Sequence, residues 1–94
     1  MKKKNAETEY KVVEVVWFDA EEKGEIGWND KKEMIRYAKK PCPKMKTVGY
    51  LIYEGPNHYS VLSSIGPDEC STMEKIPKSF VLELNELIKK ESPD

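Results

Sequence analysis

Trp17, Asp19 and Trp28 lie in one stretch, VVWFDAEEKGEIGWND, residues 15–30. Together they carry the parts of a site for a flat, polar ring. An indole offers a face on which a nucleotide base stacks, worth about 1–3 kcal/mol per base. In a strand ending at Trp17, Asp19 falls on the same face two residues on. Its carboxylate accepts hydrogen bonds from the N1–H and N2–H₂ edge of a guanine. Trp28, set among Gly27, Asn29 and Asp30, closes the sandwich from across the loop. The phosphates of such a ligand need cations or hydroxyls, and Arg36, Lys78, Thr47 and Ser79 supply them. Arg36 is the only arginine, and guanidinium forks onto phosphate better than ammonium does. The competing role for the tryptophans is packing: aromatics of small domains are mostly core, with Trp28 then holding the loop down.

Other constellations carry less. His58 lies near Ser60 and Asp68, but no Gly-x-Ser-x-Gly elbow exists to strain a nucleophile. Glu21 and Glu22 sit in a solvated loop rather than flanking a cleft, and there is no phosphate-cradling Gly-rich loop. The chain reads as non-catalytic. One histidine and two scattered cysteines, Cys42 and Cys70, are too few for a zinc site, so neither metal nor cofactor is expected. Both thiols are expected reduced and unreactive, as in a cytoplasm. A tyrosine surplus (Tyr50, Tyr53 and Tyr59 among five) suits packing, with Tyr53 and Tyr59 as a cross-strand pair. It suits a subunit interface equally well.

These residues need elements to hold them. Hydrophobic residues make up 38% and charged residues 35% of the 94, so the core must be thin. A net charge of −1, well mixed, argues against duplex DNA and against a basic track for single-stranded RNA. MKKKNAETEY lacks an apolar run and does not read as a signal peptide, and nothing approaches membrane-spanning length.

Residues 1–9 read as a disordered tail, 10–90 as one domain and 91–94 as a tail. Tyr10–Phe18 is a strand with Val13, Val15 and Trp17 on one face and Val12, Val16 and Phe18, interrupted by Glu14, on the other. After a loop, Asn29 or Asp30 caps a short helix, Asp30-x-x-Glu33 forming a capping box. Met34, Ile35 and Ala38 are its expected buried stripe, and Pro41 and Pro43 end it. Thr47–Glu54 and His58–Ile65 make a hairpin around Gly55–Pro56–Asn57; Gly66–Pro67–Asp68 turns again, and Ser71–Ile76 is a fourth strand. SFVLELNELIKK fits a helix as well as a strand; a turn at Pro77–Ser79 followed by a last strand, with room for a helical tail, is favoured. The fold class is β-rich α+β, a small closed or half-closed barrel of four or five strands with the helix inserted between the first two.

IPKSFV, residues 76–81, resembles the turn before the closing strand of SH3-like barrels, where an Ile-Pro pair ends one strand and a tight helical turn follows. TVGYLIYEGPNHYSVLSSIG looks like the bent central hairpin of SH3-like and Sm-like barrels. The order VVWFDA, GW, TVGYL, IPKSF is similar to a group of small bacteriophage proteins. Some viral proteins of this size act as sponges for the cyclic nucleotide signals of bacterial antiviral immunity. The resemblance therefore implies a phage protein acting in the cytoplasm of the infected host, with a cyclic di- or trinucleotide as its partner. A chain this short buries such a ligand most easily between subunits, so a homo-oligomer is expected. The alternative is an SH3-like interaction module for a host protein or peptide, with Glu21, Glu22 and Glu25 selecting basic flanks.

Overall fold

The computed structural model describes residues 9–90; the expected tails lie outside them, apart from Glu9. Five strands, β1 (Val12–Phe18), β2 (Lys44–Glu54), β3 (His58–Leu62), β4 (Met73–Pro77) and β5 (Val81–Leu87), form one antiparallel sheet. A helix, α1 (Lys31–Ala38), is inserted between β1 and β2. The strand order β4-β3-β2-β1-β5 puts the most apolar segment, β1, inside the sheet between β2 and β5 and leaves β4 and β5 as edges. The sheet does not close, since β4 and β5 share no ladder. The ambiguous C-terminal stretch is a 3-10 turn (Lys78–Phe80) followed by a strand, not a helix. Pairing with β1 decides what periodicity could not.

Alternation in β1 sends Val13, Val15 and Trp17 into a core completed by Val61 and Ile76, with Leu51, Val81 and Leu84 packed at its margin. Gly49 lets this core form. It stands opposite Val13 in the β1–β2 ladder. A Cβ there would strike the Leu62 carbonyl oxygen and lie 2.6 Å from Val61 Cγ1. Without a side chain, Val61 leans across β2 to meet β1, and β3 approaches closely.

The β2–β3 turn falls at Gly55–Asn57 as expected, closed by Gly55 N–H donating to His58 O at 2.9 Å. The third strand is shorter than its apolar run and ends at Leu62. Residues 63–72 instead form a loop organised by the Ser71 hydroxyl, which accepts from Ser63 and Ser64 N–H at 3.0 and 3.1 Å. Tyr53 and Tyr59 are not a pair. A bulge at Ile52 shifts the register, placing Ser60 opposite Tyr53 and Glu54 opposite Tyr59. The Tyr53 ring instead packs on His58, centroids 5.5 Å apart.

Residues 19–43 form an arm. Asp19 N–H donates to Pro43 O at 3.0 Å and pins its root. Asp30 caps α1, its carboxylate accepting from Glu33 N–H at 3.0 Å. Met34 lies over Gly24, whose φ of 129° requires glycine. Lys23 sits over the Tyr37 ring, 5.3 Å from its centroid. Met34 and Tyr37 thus face the segment running out along the helix. The expected stripe is therefore wrong: Met34 is half-buried, but Ile35 and Ala38 are exposed, and α1 has no buried residue. The helix packs on its own outgoing segment and not on the sheet.

Candidate functional site

The residues expected to form one site fall into five places. Trp17 and Thr47 meet first: the indole Nε1–H donates to Thr47 Oγ1 at 3.1 Å, and that hydroxyl donates to Glu74 Oε1 at 3.4 Å. Trp17 is only 8% exposed. Its face is given to the core and its one polar atom to Thr47, so it is not a stacking platform. Trp28 is the opposite case, 101% exposed at the end of the arm. It packs against none of the described residues, so the two rings form no sandwich and Trp28 does not hold the loop down. Thr47 serves Trp17 and is not a free hydroxyl.

Arg36 lies on the arm, in a hollow of about 250 Å³ shared with Lys23, Glu33, Tyr37 and Lys40. Here the Glu21 carboxylate beside the Tyr37 phenol, with desolvation, raises the phenol's pKa from 10.0 to about 12. Lys78 follows the end of β4. Its ammonium pairs with Glu54 Oε2 at 3.5 Å and sits over the Tyr59 ring at 5.1 Å.

Asp19 and Ser79 do come together. With Phe18, Ala20, Cys42 and Phe80 they line a hollow of about 280 Å³ where β1 runs into the arm and the 3-10 turn runs into β5. Three features of local chemistry build it. Alternation in β1 turns Phe18 away from the face that buries Trp17. The bond between Asp19 and Pro43 holds the two sides of the arm root together, which places Cys42 beside Ala20. On the far side, Lys78 N–H donates to Asn57 O at 2.8 Å and fixes the 3-10 turn that presents Ser79 and Phe80. Phe18 and Phe80 are each 38% exposed, and Asp19 is half-buried. In the β1–β2 ladder Lys44 stands directly opposite Phe18 and shares its face.

The hollow thus offers two aromatic walls, a carboxylate acceptor, a hydroxyl and a neighbouring ammonium. This arrangement can stack a ring, accept hydrogen bonds from its edge and neutralise an attached anion. Sequence reasoning missed Phe18, Phe80 and Lys44. The first two adjoin expected residues in the chain, and off-core alternation of Phe18 was a usable signal; Lys44 required the ladder register. A separate pair of hollows, about 360 and 330 Å³, shares Tyr10 and Ile65 at the opposite end of β1.

Among the described residues, no cluster of three or more His, Cys, Asp or Glu is placed to hold a metal ion, and both cysteines are free and exposed. No helix among them is long and apolar enough to cross a membrane. No protein-family model matches the chain, and neither curated proteins nor solved structures give a significant match.

Proposed function

We propose that this chain binds and sequesters a cyclic di- or trinucleotide without catalysis, one base seated in the Phe18–Asp19–Ser79–Phe80 hollow. The observation that carries the reading is the meeting of VVWFDA and IPKSF at this one hollow. They are two of the segments that resemble small phage proteins, and they lie some sixty positions apart in the chain. Asp19 accepts from the N1–H and N2–H₂ edge of a guanine, Phe18 and Phe80 contact its faces, Ser79 donates to a ring or ribose oxygen, and Lys44 meets the phosphate. Arg36, remote on the arm, is released from this task, as are Trp17 and Thr47.

The hollow's volume of about 280 Å³ falls just below the range of small-molecule sites, about 300–1,000 Å³. It suits one base rather than a dinucleotide. A ligand with two bases is then held by two copies, and the protein acts as a homo-oligomer. It does so in the cytoplasm of a bacterium infected by the phage that encodes it. The fold reading that goes with this is SH3-like. Its support is the strand order β4-β3-β2-β1-β5, the bulged β2–β3 hairpin and the 3-10 turn that follows Ile76–Pro77.

Thermal melting against cyclic di- and trinucleotides, their linear forms and mononucleotides tests the reading. A ligand of the native state adds about 2.7 kcal/mol at a hundred-fold excess over its dissociation constant. A rise in Tm with a cyclic form, absent with its linear counterpart and abolished by Asp19→Asn, is expected. No rise with any of them overturns the proposal. The interaction-module reading is favoured by one observation, the bare Trp28 ring flanked by acidic Glu25 and Asp30. It requires Trp28→Ser to abolish capture of a basic peptide while Asp19→Asn leaves it intact.

A further inference from the structure

The tip of the arm is built to be covered. Ile26 and Trp28 are 106% and 101% exposed, yet the loop that presents them is locked. Glu25 N–H donates to Asn29 Oδ1 and Asn29 Nδ2–H donates back to Glu25 O, both at 3.0 Å. Gly27, at φ 109°, makes the turn between the two side chains. A fixed apolar knob in water gains nothing from its rigidity; docked, it loses little entropy on binding.

A surface that fits the knob lies at the opposite end of β1. Tyr10, Ile65 and Met73 are exposed there around the adjoining hollows of about 360 and 330 Å³, and Glu9, Asp68 and Glu69 line the same hollows. The charges at the tip are mixed: Glu25 and Asp30 flank Trp28, but the Asp30 carboxylate is engaged in the helix cap, and exposed Lys31 and Lys32 follow within four residues of Trp28. Neither these lysines nor the three carboxylates of the receiving surface belong to an ion pair among the described residues. The bulge frees Ile52 from cross-strand pairing, and its side chain lines one of these hollows.

We infer that the Ile26–Trp28 tip of one copy docks into the Tyr10–Ile65–Met73 surface of a second copy, Lys31 and Lys32 meeting its acidic rim, so that two copies exchange arms. The arm leaves the C-terminal end of β1 and the receiving surface lies at its N-terminal end. The seven residues of β1 at about 3.3 Å each separate the two by about 23 Å. Two copies running in opposite directions, offset along the strands by the length of the arm, bring each tip to the other's surface and close as a two-fold pair. An indole buries about 200 Å². With Ile26 and the matching receiving area, each arm covers about 700 Å² and the pair about 1,400 Å², within the range of stable interfaces. The inference rests on the locked apolar tip and its two exposed lysines and stands apart from the ligand reading.

Sedimentation equilibrium of the full chain, without nucleotide, across the micromolar range tests it. The expected result is a dimer. Trp28→Ser should raise its dissociation constant about tenfold or more, as for a central aromatic anchor. Lys31→Glu with Lys32→Glu should also dissociate it, and adding Asp68→Lys with Glu69→Lys should restore it. All these positions are exposed, so circular dichroism should be unchanged. A monomer throughout the range overturns the inference, and so does a dimer that Trp28→Ser leaves intact or a charge swap that fails to rescue.

Discussion

Replacing Thr47 by Val keeps the shape of the side chain and removes the only hydrogen-bond partner of the Trp17 indole among the described residues. That nitrogen donates to Thr47 Oγ1 at 3.1 Å, and the ring is 8% exposed. A buried donor left unsatisfied costs about 1–3 kcal/mol. Because Thr47 itself is only partly buried, the lower part of the range applies, about 1–2 kcal/mol. A domain of this size loses about 4–8 °C in Tm per kcal/mol, so Thr47→Val should melt about 4–16 °C below the parent. Thr47→Ser keeps the hydroxyl and should retain most of the difference. Glu74→Gln, at the exposed far end of the chain of bonds, should stay within about 0.5 kcal/mol. Urea unfolding followed by circular dichroism measures all three, with an unchanged m value as the sign that only stability moved. Equal midpoints for Thr47→Val and Thr47→Ser would refute the role given to this bond.

Three further outcomes follow from the same geometry. Gly49→Ala places a Cβ against the Leu62 carbonyl oxygen and 2.6 Å from Val61 Cγ1. Overpacking against backbone should cost about 1–3 kcal/mol by chemical denaturation, although alanine is otherwise favoured over glycine. Asp30→Ala removes the cap of α1, about 0.5–2 kcal/mol of helix stability. Because α1 has no buried residue, the loss should appear as faster amide exchange over residues 31–38 with little change in global Tm. The Tyr37 phenol, held up to about 12 first by the Glu21 carboxylate beside it, should ionise late in a phenolate absorbance titration, and Glu21→Ala should return it toward 10.0. The raised pKa favours the neutral phenol in the folded chain. Any stability from this pair is therefore complete below pH 10 and lost as pH climbs toward about 12.

What could be read from sequence was whatever local chemistry decides. Alternation in β1 identified Val13, Val15 and Trp17 as one face, and the Asp30–Glu33 spacing located the helix cap. Gly55–Pro56–Asn57 marked the hairpin turn. The β-rich fold with a helix between the first two strands followed from these. Long-range pairing was not legible. The bulge at Ile52 separated two tyrosines that a regular register would have faced. Met34, Ile35 and Ala38 looked like a core stripe because apolar spacing is the same whether a helix packs on a sheet or on its own outgoing segment. Among the site residues, Asp19 and Ser79 converge because both border the ends of strands that pair in the sheet. Trp17, Thr47, Lys78 and Arg36 each meet nearer partners, which spacing along the chain could not reveal.

Titration calorimetry of the parent and Asp19→Asn with a guanine-containing cyclic dinucleotide, beside an adenine-only one, probes the hollow most directly. The parent should prefer the guanine form. Exchanging the carboxylate for an amide should weaken that preferred binding by about 10–100-fold, since a hydrogen bond to a charged group contributes about 1.5–3 kcal/mol. Circular dichroism should be unchanged by this substitution. Absence of binding by the parent, or binding that Asp19→Asn leaves at full strength, would contradict the assignment of this hollow to a nucleotide base.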